Sequence, residues 1–202
     1  MRWFFALHLL VLSAAFLRAQ SAPQPPPASA TEAMHQAAVA SAERKFQHIE
    51  DNSRQAQPDQ RPTVLTEREI NAYLASGKME LPKGVRSVRF TGTPGAVHAL
   101  ARVDFDTITA EKRSSNPLLA LFTGVHDVEV RGRANGSGGQ GQVRIESVAI
   151  DGVTVPRIAL QFFIDRYLKP KHPEIGLDST FRLPYRIDIA QIGSHNLTVT
   201  QK

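Results

Sequence analysis

The sequence predicts an α+β fold: a curved antiparallel β-sheet packed on a long apolar helix, with short additional helices and an N-terminal helical arm. Three observations carry this expectation. Residues 142–168 (QVRIESVAIDGVTVPRIALQFFIDRYL) pass from a strand pattern, through Gly152 and Pro156, into an apolar helical pattern. Several shorter stretches alternate apolar and polar residues, the period of strands with one buried face. At Thr66 a helix start is specified by an N-cap residue with Glu69 three positions on, the spacing of a capping box.

Taken in order, the chain opens with Arg2, an apolar run from Trp3 to Leu17 and a small residue at Ala19. Residues 1–19 read as a secretory signal peptide, because the apolar run is shorter than the roughly 20 residues that span a bilayer. Export to the periplasm or beyond is the expected localisation. The chain has no cysteine, so neither a disulfide nor a lipid-bearing thiol is available and the fold must rest on its core. Residues 20–30 form a proline-rich linker. Residues 31–54, rich in Ala, Glu, Gln and Lys, repeat Met34, Ala38, Ala42, Phe46 and Ile49 near helical spacing, an amphipathic helix with a thin apolar face. Residues 55–62 (QAQPDQRP) are a second linker, and 63–202 make the α+β domain.

Within that domain the first helix covers 66–76, with Ile70, Tyr73 and Leu74 on its buried side and Gly77 as terminator. Residues 85–91 and 96–105 read as a hairpin turned by Gly92-Thr93-Pro94-Gly95, with Val97, Ala99, Ala101, Val103 and Phe105 on one face. Asn116-Pro117 opens a short helix over 117–123. Val128 and Val130 mark the next strand, which turns through Gly136–Gly141 into Val143 and Ile145. Val148 and Ile150 then shift the phase as a bulge would. Pro156 starts the apolar helix 157–168, whose Ile158, Leu160, Phe162, Phe163, Ile164, Tyr167 and Leu168 point in too many directions for one narrow stripe, so it should be covered on most sides. Phe181, Leu183, Ile187, Ile189, Ile192, Leu197 and Val199 restore strand content to the C-terminus.

A chain of 202 residues, 42% apolar and 21% charged, can bury a real core. Its formal charge of +5 falls to +3 without Arg2 and Arg18, and its basic residues are interleaved with acids. No aromatic-basic module is present, so nucleic acid is not an expected partner. Gly136, Gly138 and Gly141 match GxGxxG, but the residues that follow have strand periodicity, so a hairpin tip is expected there. Asp104 and Asp106, two apart on a strand, read as a solvated face more readily than as a cation site. The histidines show no HxxxH or HxH spacing, and neither GxSxG nor a cysteine nucleophile is present. No metal, cofactor or catalytic residue is expected.

Several segments, LTEREINAYL, PLLALFTG, ESVAIDGVTVP and LPYRIDIAQIGSHNLTV, together resemble bacterial exported proteins of the tubular-lipid-binding-like class, related in fold to bactericidal permeability-increasing protein and including a family that assists mannan elongation. The resemblance spans residues 63–201 and rests chiefly on Gly-Val-x-Val-Pro at 152–156 and Leu-Pro at 183–184. It implies a long curved sheet wrapped on a helix, with an apolar groove for acyl chains. The expected function is accordingly a non-enzymatic periplasmic binding protein for a lipid or other acyl-chain ligand. The expected site lies between the 157–168 helix and the inner sheet face: Val97, Leu100, Val103, Val128, Val130, Val155, Ile158, Phe162, Phe163 and Tyr167. Transient membrane contact belongs with the same expectation. The alternative is an envelope adaptor with a solid core, which would meet another envelope protein through its 31–54 helix.

Overall fold

The computed structural model describes residues 28–110, 122–170 and 172–202. The expected signal peptide, most of the first linker and residues 117–121 of the expected short helix lie outside the described residues. Helix α1 (Ala28–Ser53) is followed by β1 (Thr63–Thr66), α2 (Glu67–Ala75), β2 (Val85–Thr93), β3 (Ala96–Asp104) and α3 (Phe105–Thr109). Then come β4 (Val125–Ser137), β5 (Gln140–Ile150), β6 (Val153–Thr154), α4 (Arg157–Phe163) with a π-helical turn over Ile164–Leu168, β7 (Asp178–Arg182), β8 (Ile187–Gly193) and β9 (Asn196–Gln201). The fold is α+β, and all described strand pairs are antiparallel members of one nine-stranded sheet.

Strand β4 organises that sheet. One edge pairs with β3 over residues 125–133 and, where β3 has ended, with β8 at Asn135 and Gly136. The other edge pairs with β5, which in turn carries β7 and the two-residue β6. Strands β8, β9 and β1 therefore form a wing beyond the β2–β3 hairpin. The two hairpin tips are tied together, with His195 N donating to Gly92 O and Gly95 N to Ile192 O, each at 3.0 Å. The expected phase shift in β5 is a bulge at Glu146: Ser147 faces Arg131 while Ile145 faces Gly132, leaving one residue unpaired. Gly138 and Gly139, both at positive φ, make the two-residue turn between β4 and β5. The GxGxxG stretch is thus a hairpin tip. The free edge of β2 is covered by α2, since Asn71 accepts from Phe90 N and donates to Phe90 O, both at 2.8 Å. A side-chain amide replaces the missing strand and blunts an edge that would otherwise invite pairing.

The main core lies between the β2–β5 part of the sheet and α4. Val103, Val128, Val130, Val148, Ile150, Val155, Phe163 and Tyr167 are all buried there. Phe163 stacks on Phe122 at 4.3 Å between ring centroids and meets Phe105 edge-on at 5.6 Å. A long apolar helix over 157–168 is not what the chain builds; it makes seven α-helical residues and a five-residue π turn. Nor is this segment covered on most sides. Ala159, Leu160, Phe163, Ile164 and Tyr167 form the buried stripe, while Ile158 and Phe162 are 60% and 44% exposed beside Arg157, Gln161, Asp165 and Arg166. The i, i+4 spacing of Ile158 and Phe162 puts both on the outward face with the polar residues. Strand β3 also stops sooner than its alternation suggests. Asp104 caps α3 by accepting from Thr107 N and pairs with Arg86 at 2.7 Å, while Asp106 lies inside the helix. The two carboxylates do not share a strand face.

The long helix of the structure is α1. Its alanine-rich sequence favours helix, and Ala38, Val39, Ala42 and Ile49 bury one stripe. Met34, expected on that stripe, is exposed. Residues 55–62 are held rather than loose. Asn52 donates to Asp59 O at 2.8 Å and accepts from Asp59 N at 2.7 Å, and Arg186 donates to Gln55 O at 2.9 Å.

Candidate ligand-binding cavity

Between α1, α2 and the β8–β9–β1 wing the packing leaves a cavity of about 190 Å³, partly open to solvent. Helix α1 contributes Phe46 and Ile49, α2 contributes Ile70, Tyr73 and Leu74, and the sheet contributes Leu65, Phe90, Val97, Ala134, Ile187, Ile192 and Leu197. Phe181 and the Leu183-Pro184-Tyr185 turn between β7 and β8 complete the wall. Apolar side chains of the wing, Leu183, Ile187, Ile192 and Leu197, are only half-buried, because the helices span the wing without filling the space above it. Polar groups are few: Glu67, Asn135 and Asn196.

Helix α1 is fastened at both ends of this cavity. Glu69 accepts from Lys45 Nζ at 2.6 and 2.8 Å and from Ser41 Oγ at 2.6 Å. The same carboxylate completes the α2 capping box, accepting from Thr66 N at 2.7 Å while Thr66 Oγ1 accepts from Glu69 N at 3.2 Å. Phe46 and Tyr73 lie 5.0 Å apart between ring centroids across the α1–α2 contact. At the far end Asn52, 2% exposed, donates to Gln201 Oε1 at 2.9 Å. Gln201 Nε2 donates to Ile49 O and Tyr185 O at 2.7 and 2.6 Å. Each buried amide is thereby satisfied, which matters because an unpaired one costs roughly 1–3 kcal/mol.

Burial pushes the Glu69 carboxyl up, but the bonds from Lys45, Ser41 and Thr66 outweigh it and hold the group at about 2. Since the folded value lies below the unfolded one near 4.5, this latch contributes fully above about pH 4.5 and is lost as pH falls toward 2. The contribution is at most about 3 kcal/mol, reduced by the part-exposed Lys45. Urea unfolding of the wild type and Glu69→Gln across pH 2–7 should show a gap at neutral pH that closes in acid. A gap independent of pH would remove the ionised latch.

Of the ten residues expected to line a site, Val97 alone borders this cavity. Val103, Val128, Val130, Val155, Phe163 and Tyr167 are brought together, but as packed core, with Leu100 against its margin. Ile158 and Phe162 face outward. The region of the expected site is closed for a steric reason: Phe105, Phe122, Phe163 and Tyr167 fill the room under α4 with rings. Missing from the expectation were α1 and the C-terminal strands. Their signal was present as two apolar surfaces without an assigned cover, the 38/42/46/49 stripe and the 181–199 strands.

Three histidines each pair with a single carboxylate: His98 with Glu129 at 2.9 Å, His126 with Asp151 at 2.5 Å and His195 with Glu67 at 2.7 Å. Asp151, and after it the Thr123 carbonyl that takes the other ring nitrogen, raise the His126 pKa against the opposing effect of burial. Among the described residues no three His, Cys, Asp or Glu side chains converge as metal ligands. No described helix is long and apolar enough to cross a membrane. No family model, curated protein or solved structure matches this chain.

Proposed function

We propose that the protein is a non-enzymatic binding protein for a lipid or other acyl-chain ligand, held in the cavity between α1, α2 and the sheet. The observation that carries this reading is a partly open space of about 190 Å³ walled almost wholly by apolar side chains. It exceeds the ~150 Å³ in which an apolar protein cavity takes up benzene, and falls below the ~300–1,000 Å³ of sites that enclose a whole drug-sized molecule. One chain or ring enters and the remainder of a larger lipid stays outside. The segments that resemble tubular-lipid-binding-like proteins support the reading from another side. LTEREINAYL supplies Leu65, Glu67, Ile70, Tyr73 and Leu74 to the wall, and LPYRIDIAQIGSHNLTV supplies Leu183, Ile187, Ile192 and Leu197. On this reading α1 takes the part of the long helix clasped by the sheet. The leader-like N-terminus favours the periplasm or the exterior as the place of action.

The adaptor reading is weaker, because the apolar stripe of α1 that would dock a partner is already occupied by α2, β1 and β9. Native mass spectrometry of protein taken gently from a bacterial periplasm should show co-purifying apolar mass. Ala134→Phe, which puts a ring into the cavity, should remove that mass and weaken Nile red binding at least about tenfold with little change in unfolding midpoint. Unaltered binding in this variant would place the ligand elsewhere.

A further inference from the structure

We infer that the bound molecule carries an uncharged, hydrogen-bond-donating head, an alcohol or an amide, rather than a carboxylate or a phosphate. This rests on the cavity being a binding site and concerns its ligand class. Among the described residues that line the cavity there is no lysine or arginine, and Glu67 is the one side chain with a formal charge. An anionic head would meet a carboxylate of its own sign with no compensating cation in the wall. The first turn of α2 offsets this only in part, because two of its amides are spent on protein acceptors: Glu67 N donates to His195 O at 2.8 Å and Glu69 N to Thr66 Oγ1 at 3.2 Å.

Glu67 is instead arranged to accept. Its Oε2 takes hydrogen bonds from Gly92 N at 3.1 Å and from His195 Nδ1 at 2.7 Å, which fix the carboxylate at the edge of the apolar space. Its Oε1 takes none from the described residues. With Glu67 in the wall of a chain-sized apolar volume, its carboxylate is an acceptor complementary to a hydroxyl or N–H at the end of a hydrocarbon chain. The site therefore selects against free fatty acids and in favour of neutral amphiphiles whose chain enters and whose head stops at Glu67.

The test uses the full-length protein at pH 8 with Nile red as the neutral reporter, displaced by 1-decanol, decanoate or decyl phosphate, which share one chain and differ in the head. Decanol is expected to displace the dye at about tenfold lower concentration than either anion. Glu67→Gln should close the gap by tightening the anions. Simple partition onto a greasy surface also favours decanol, but that preference would survive Glu67→Gln, and its survival would overturn the inference. Equal or better displacement by decanoate in the wild type would overturn it while leaving the cavity a binding site. No displacement by any of the three, with native mass spectra free of bound mass, would defeat the binding reading and this inference with it.

Discussion

Phe163→Ala is expected to lower the unfolding free energy by about 3–5 kcal/mol while Nile red binding by the folded fraction stays at the wild-type level. Phe163 is buried, and its ring contacts three others: Phe122 at 4.3 Å, Tyr167 at 5.2 Å and Phe105 at 5.6 Å between centroids. Truncation removes a whole ring from a region where Phe105 and Phe122 are held by parts of the chain outside α4, so movement of α4 alone cannot close the gap. The loss is a large share of the roughly 5–15 kcal/mol that holds a domain folded. Binding is expected to persist because the cavity is walled by other residues, with Val97 the one it shares with the region once expected to bind. Phe162→Ala and Ile158→Ala, one position from the buried stripe and facing outward, should change stability by less than about 1 kcal/mol. Urea titrations of the three variants with a parallel dye titration separate the outcomes. If Phe163→Ala instead changed ligand affinity at constant stability, the space under α4 would be the site after all.

Local patterns in the sequence carried much of this architecture. Thr66-x-x-Glu69 specifies the start of α2 because a capping box is satisfied within four residues, and the structure contains it. The change of apolar phase between Ile145 and Val148 locates the β5 bulge for the same reason, since side-chain alternation is a property of the strand itself. What could not be read depends on partners far along the chain. Glu69 is legible as a capping residue, but its bonds to Ser41 and Lys45 belong to the docking of α1. Asn52 and Gln201, the pair that fixes the other end, are 149 positions apart. Residues 157–168 look apolar all round when residues are counted, yet the helical phase separates Ile158 and Phe162 from the stripe that packs. A cavity is harder still, because alternation tells which faces are apolar and not whether facing side chains meet. The aromatic residues near α4 met and closed one space; Leu183, Ile187 and Ile192 stayed only half-buried beside α1, and another remained open.

If α1 is a wall of the site and not an appendage, then Ala42→Glu should abolish binding while most of the sheet remains folded. Ala42 is fully buried against α2, in the cluster that includes Ala38, Val39, Ala72 and Tyr73. A carboxylate there would be buried without a cation of its own, since Lys45 is already engaged by Glu69. Burying an unpaired charge costs several kcal/mol, and a side chain of that size also forces apart the α1–α2 contact that carries the Lys45–Glu69 latch, so the expected response is for the helix to leave. Departure takes Phe46 and Ile49 from the cavity and exposes the apolar wing to water. Hydrogen exchange should show lost protection across residues 30–53 with protection kept in β3, β4 and β5, and dye affinity should fall at least about tenfold. Ala42→Ser, whose hydroxyl can bond back to a helix carbonyl, should do neither. Retained binding with α1 released would mean that the sheet and α2 suffice to hold the ligand. The Lys45–Glu69 latch would then be a stabilising contact with no part in the site.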